Sequence, residues 1–129
     1  MVAIPDGHES LLDRPLDGQL ATVRPDGSPQ VNAMWFAWDG ELLRFTHTNK
    51  RQKFRNVSAN PAVAMSIIDP DNPYRYLEVR GVVEEIVPDP TGAFYLELND
   101  GYDGPLTEPP ADKADRVILV VRPTGYSKQ

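Results

Sequence analysis

Asp39-Gly40 lies between two apolar runs, Phe36-Ala37-Trp38 and Leu42-Leu43. Glycine takes the positive φ that a tight reversal demands, and Asp-Gly between strand-like runs is a two-residue hairpin signal. Strands on either side of it must pair antiparallel. The chain is thereby committed to an antiparallel sheet before any other residue is considered.

The rest of the sequence extends that sheet in both directions. Residues 19–23 carry Leu20, Ala21, Thr22 and Val23, and Arg-Pro-Asp-Gly-Ser-Pro then supplies a turn. Residues 29–38 read as a second strand, apolar on both faces and therefore covered on both sides. In the third strand Leu43, Phe45 and His47 alternate with Arg44, Thr46 and Thr48. Asn60-Pro61 ends a helical stretch, and residues 62–68 form a fourth strand. A loop over 69–73 leads to a long strand over 74–87, bent or bulged at Gly81. Asp89-Pro90 opens a helix in which Phe94 and Leu98 share a face, and this helix ends by Gly101. After a surface loop over 102–112, residues 116–122 make a buried last strand closed by Pro123. A short helix over 9–14 can dock Leu11 and Leu12 on a barrel end. Six strands joined by turns, with two or three satellite helices, predict a mainly β protein, an antiparallel β-barrel in one domain spanning residues 1–129.

Between Leu42 and Ile68 there is no Asp or Glu, yet Arg44, Lys50, Arg51, Lys53 and Arg55 all fall there. The chain has 13 basic and 19 acidic residues, so the remainder is strongly acidic. Phe54 and Val57 lie three apart, as on a helix face, with Asn49 as a candidate N-cap and Gln52 completing a loose capping box. That places Lys50, Arg51 and Lys53 in the first turn, where the macrodipole is positive and each cation costs ~0.3–1 kcal/mol. A bound anion resolves the conflict, because helix-start N–H groups and neighbouring cations together form a phosphate site. The alternative is a solvated basic helix that merely offsets an acidic surface.

Other chemistries are excluded by what is missing. There is no Cys, hence no disulfide framework, thiolate nucleophile or cysteine zinc site. His8 and His47 are the only histidines, too few for a histidine-rich metal site. A net charge of −6 argues against general nucleic-acid binding. No segment has the length and apolarity of a membrane span or the form of a secretion signal, so the expectation is a cytoplasmic protein.

Taken together, the Asp-Gly-Ser-Pro-Gln-Val run after Leu20, the Trp-Asp-Gly hairpin, the Thr-x-x-Lys-Arg-x-Lys-x-x-Asn segment and Asn-Pro before a strand resemble the split β-barrel flavin and deazaflavin oxidoreductases. That family includes pyridoxamine 5′-phosphate oxidase and the actinobacterial reductases that use coenzyme F420. The likeness spans roughly residues 19–121, and the order of elements and the Arg-x-Lys position carry it. It implies a homodimer with cofactor sites at the interface. It also implies phosphate-binding roles for Arg51 and Lys53 beside Thr46, His47 and Thr48. Val31, Asn32, Ala33 and Met34 would pass under the isoalloxazine-like ring, and Tyr74 or Tyr76 would come from the other subunit. The Trp- and Arg-rich C-terminal segment of true pyridoxamine phosphate oxidases is missing, which argues against vitamin B6 oxidation. Between the two flavins, spare cations such as Lys50 and Arg55 favour the poly-acidic tail of F420 over FMN.

Several residues have ordinary readings beside these. Trp35 and Trp38 point to opposite faces at strand spacing, and Trp38 is assigned to the core. Met34 is as well suited to core filling as to cofactor contact. His47 could ligate haem or donate a proton, and equally could be a hydrogen-bonded strand histidine. Tyr126 either caps a pocket or belongs to the tail. No catalytic residue is nominated, because hydride transfer needs orientation and a dry pocket more than side-chain acids or bases. The sequence therefore predicts an F420-dependent reductase acting on a small conjugated acceptor. The alternatives are an FMN-dependent oxidoreductase of the same fold and a non-catalytic flavin or haem binder.

Overall fold

The computed structural model describes residues 3–106 and 108–129. Seven strands form one sheet in the order β2-β1-β5-β6-β7-β4-β3. In chain order these are β1 (Gly18–Val23), β2 (Pro29–Met34), β3 (Ala37–Trp38), β4 (Leu43–Thr48), β5 (Ala62–Asp69), β6 (Asn72–Pro88) and β7 (Arg116–Lys128). Three α-helices accompany them, α1 (Glu9–Asp13), α2 (Gln52–Ala59) and α3 (Ala93–Tyr102). All pairings are antiparallel. The period of two along each strand puts Leu20 of β1, Leu43 and Phe45 of β4, Met65 and Ile67 of β5, Leu77 and Val79 of β6, and Leu119 and Val121 of β7 into one core. Leu11 and Leu12 of α1 close that core, as their sequence spacing predicts.

The two edge strands of the sheet, β2 and β3, are consecutive in the chain. The barrel is thus closed by the covalent link Trp35-Phe36 and is split there as a sheet. This corrects the expected continuous strand over 29–38. Tyr102 supplies the physical reason for the break: Phe36 N–H donates to its hydroxyl at 3.2 Å, and the hydroxyl donates to Leu16 O at 2.8 Å. Phe36 N–H is thereby drawn out of any ladder, and the Trp35 ring stacks on Tyr102 at 4.9 Å. The expectation that both faces of this strand are covered also fails within one chain, where Val31 is 60% exposed.

Other boundaries shift for equally specific reasons. The Asp39-Gly40 hairpin exists, but Trp38 pairs with Leu43, so the loop spans 39–42 and not two residues. Asp39 Oδ1 accepts from the N–H groups of Glu41 and Leu42, and Gly40 takes φ 96. Helix α3 begins at Ala93 and not at Asp89, whose carboxylate instead receives the N–H groups of Phe94 and Tyr95. The loop expected over 69–73 is a tight reversal, with Asp69 paired to Asn72. Strand β7 continues through Pro123 to Lys128, because the register slips opposite Gly81 and Pro123 needs no ladder donor there. A Cβ on Gly81 would lie 2.7 Å from Arg122 O, so only glycine fits the bulge. Tyr126, paired with Val79, packs against the core and is no loose tail.

Candidate functional site

Helix α2 is fixed on the sheet by a buried amide. Asn56, fully inaccessible to water, donates through Nδ2 to Thr22 Oγ1 at 3.0 Å and Gln30 Oε1 at 3.2 Å, and accepts from Gln52 Nε2 at 2.8 Å. Val57 is buried on the same side and Phe54 packs against the core. These contacts aim the start of α2 at the gap between β2 and the end of β4. The helix begins two residues later than the sequence suggests. Arg51 is the N-cap, in extended conformation and without a side-chain cap hydrogen bond. Asn49 is not the cap: it lies three residues ahead of the first helical residue, Gln52, and its N–H donates to Asp115 O at 3.0 Å. Gln52 turns to Asn56 and Arg55 and does not reach back, so no capping box forms. Lys50 and Arg51 therefore precede the helix and only Lys53 lies inside its first turn. Among the described residues, the first N–H groups of α2 have no side-chain acceptor.

In front of these groups lies a cavity of about 530 Å³ lined by residues of β2, β4, α2 and β7. Lys53 is 4% exposed, and its Nζ has Met34 Sδ at 2.9 Å. Among the described residues, none of Lys50, Arg51, Lys53 and Arg55 has a carboxylate within 4.0 Å. Burial, reinforced by the Arg51 charge, pushes the Lys53 ammonium down to about 8. His47 continues the inward-facing row of Leu43 and Phe45, which is why an imidazole ends up inside. Burial first, then the charges of Lys53, Arg51 and Arg116, lower it to about 4. The ring is neutral at neutral pH. Thr46 Oγ1, His47 Nε2 and Arg116 Nε are buried there, with no hydrogen-bond partner among the described residues. Asp112 Oδ1 lies 3.4 Å from Arg116 Nε, an ion-pair distance but off the N–H direction, so that donor stays free. Buried polar groups are rarely left unpaired. Uncompensated cations, free helix N–H groups and orphaned donors around one cavity fit an anionic phosphate ester.

Of the residues the sequence nominates, Asn32, Ala33, Met34, Thr46, His47, Arg51 and Lys53 line this cavity together. Val31, Thr48, Lys50 and Tyr74 do not. Val31 faces outward on β2, Thr48 is buried and accepts the Lys50 N–H at 3.4 Å, Lys50 is exposed, and Tyr74 on β6 is 79% exposed. Gln30, Gln52 and Arg116 line the cavity although sequence reasoning passed over them. Arg116 reads there only as the border of the last strand. Its role depends on the β4·β7 pairing, which sets Arg116 opposite Thr48.

The sequence pattern of the family described as pyridoxamine 5′-phosphate oxidase matches residues 4–129. A solved structure named F420 reductase is 84% identical, covers 98% of this chain and 100% of that one, and superposes with a TM-score of 0.95. A conserved hypothetical protein from Mycobacterium tuberculosis, 24% identical, covers 98% of this chain and 85% of that chain with a TM-score of 0.77. A pyridoxamine 5′-phosphate oxidase-related, FMN binding protein from Nostoc punctiforme, 20% identical, covers 99% and 86% with a TM-score of 0.73. The last two show the fold alone. No curated protein sequence matches the chain. Among the described residues, no helix is long and apolar enough to cross a membrane. The split barrel, the cavity beside α2 and a family match over residues 4–129 lead to one conclusion: the chain belongs to the pyridoxamine 5′-phosphate oxidase family.

Proposed function

We infer that this protein is an oxidoreductase that uses coenzyme F420, transferring a hydride from the reduced deazaflavin to a small conjugated organic acceptor. The observation that carries the reading is 84% identity over 98% of the chain to a protein named F420 reductase. The cavity beside α2 supports it through its chemistry. Arg51, Lys53 and the first N–H groups of α2 would hold the phosphate. Asn32, Ala33 and Met34 of β2 would offer backbone and side-chain contacts to the ring. When bound, the reduced deazaflavin supplies the hydride. The protein's own part is to orient the two reactants and exclude water. His47 and the Lys53 ammonium are titratable groups of the cavity wall, and both would serve its phosphate end.

The same reading makes the protein one folding unit of residues 1–129, working as a cytoplasmic homodimer with the cofactor at the interface. Val31 at 60% exposure and Tyr74 at 79% are large apolar groups left uncovered by their own chain, as a partner subunit would require. Such interfaces often bury more than ~2,000 Å². A stable monomer in light scattering at low micromolar concentration refutes the dimer.

Titration with F420 and FMN tests the cofactor. F420 should bind at least about ten-fold more tightly, with the preference shrinking as salt rises because exposed contacts from Lys50 and Arg55 to the acidic tail are worth only ~0.2–1 kcal/mol each. Purification of a yellow protein carrying FMN overturns the reading. Oxidation of reduced F420 by a panel of activated alkenes and imines, followed by deazaflavin fluorescence, then identifies the acceptor class.

A further inference from the structure

The three orphaned donors of the cavity come from one corner of the sheet. Thr46 pairs with Ile118 and His47 with Val117, while Arg116 stands opposite the next β4 residue, Thr48. A guanidinium over the Tyr95 ring, 4.5 Å from its centroid, holds Arg116 in place without consuming its N–H groups. The strand floor is therefore a second set of unpaired polar groups, independent of α2 and bordering the same cavity.

Two groups of this cavity change charge within a few pH units of neutrality, Lys53 on the alkaline side and, on the acid side, His47. The charges acting on it are all positive: Lys53 and Arg51 from α2 and Arg116 from β7. Asp112, the acid on the β7 side, is engaged by Arg116. Strand β3 pairs β4 only at Leu43 and Arg44, and from β2 the cavity receives the uncharged Gln30, Asn32, Ala33 and Met34. An anion in the cavity reverses the sign of this environment, and a nearby negative charge favours the imidazolium.

We propose that His47 is the proton-linked ligand of the anion site: a phosphate ester seated among Lys53, Arg51 and Arg116 accepts a hydrogen bond from His47 Nε2 and draws a proton onto the ring. The proposal rests on the reading of the cavity as a phosphate site, not on which flavin is held. The proton comes from solvent, and no bond to phosphorus forms or breaks. In the free protein the ring titrates at about 4. If the bound anion restores it to about 6, affinity at pH 5 exceeds that at pH 7 by about ten-fold, since each pKa unit is a factor of ten. Lys53 acts in a separate window, above about pH 8, where the free protein loses that ammonium proton.

Calorimetry at about pH 5.5, in two buffers of different ionisation heat, isolates His47, because Lys53 is already protonated there. The probes are F420, the deazaflavin riboside that lacks phosphate and tail, FMN, and inorganic pyrophosphate. Wild type should take up a proton with F420 and none with the riboside. His47→Gln keeps an N–H donor but cannot take a proton, so the extra proton uptake and the gain in F420 affinity at low pH should vanish. Arg116→Gln should weaken F420 about ten-fold and leave riboside binding unchanged. Equal proton uptake by wild type and His47→Gln overturns the proposal. So does F420 binding without uptake, or failure of every phosphate-bearing probe to bind. Should FMN bind where F420 does not, with an uptake that His47→Gln removes, the proton linkage stands and the F420 assignment falls.

Discussion

Lys53→Met separates what the cavity does for binding from what it costs the fold. Lys53 is 4% exposed, without a carboxylate partner, and its ammonium is pushed from 10.5 to about 8, chiefly by burial and then by Arg51. At face value that fall is a penalty of about 3 kcal/mol on the charged form. The cavity is open to water, so screening reduces it to roughly 1–2 kcal/mol. The sign follows from linkage: a base whose folded value is depressed destabilises the protein fully below about pH 8, and the penalty disappears as pH rises through 10.5. Methionine keeps the length and apolar contact beside Met34 without the charge. The ligand-free variant should therefore melt roughly 3–8 °C above wild type at neutral pH, with the gap closing towards pH 10.5. Its affinity for F420 should fall ten-fold to a hundred-fold, the worth of one charge-assisted hydrogen bond at ~1.5–3 kcal/mol. Differential scanning fluorimetry with and without F420 reads both effects. A variant that melts lower than wild type and binds F420 normally refutes the argument, because Lys53 would then be a structural cation.

Two further substitutions probe the scaffold. Tyr102→Phe strands Phe36 N–H and Leu16 O, which the hydroxyl satisfies at 3.2 and 2.8 Å, and should cost about 1–3 kcal/mol in urea unfolding while leaving the Trp35 stack in near-ultraviolet circular dichroism. Unchanged stability would show that water replaces the hydroxyl. Asp39 titrates at about 2, held down first by Arg44 and then by the Leu42 N–H, so its contribution is present above 3.8 and lost as pH falls through 2. Both partners are partly exposed, and Asp39→Asn should cost under ~1 kcal/mol at neutral pH and nothing at about pH 2; an equal cost at both pH values would place the effect in the turn's backbone bonds instead.

Much of this molecule is readable from period and punctuation. Alternation in 43–48 and the continuous apolar run in 116–122 assign strands, and Gly81 and Asn60-Pro61 mark the bulge and the helix end where the structure has them. The acid-free run over 43–67 points to the wall of the cavity. What escapes is set by groups distant in sequence. The split of the second strand depends on Tyr102, which lies 66 residues from Phe36. Residue 49, read as the cap of α2, instead donates its N–H to Asp115 O, 66 residues away. Arg116 enters the site through strand pairing alone, and no local pattern marks a strand border as a ligand. Residues on one strand fail differently: Val31 and Thr48 adjoin cavity residues in sequence, but Val31 is exposed on β2 and Thr48 is buried where its hydroxyl meets the Lys50 N–H, so neither lines the cavity.

A barrel whose seam is a peptide link has an unusual way of opening. Between β2 and β3 there is no ladder to unzip, and the restraint across the gap is the Tyr102 hydroxyl with its stacked Trp35. The cavity wall formed by Asn32, Ala33 and Met34 ends at that seam. A flat, bulky ligand seated against Asn32, Ala33 and Met34 therefore lies next to the junction of the sheet that side-chain contacts, and not a ladder, hold together.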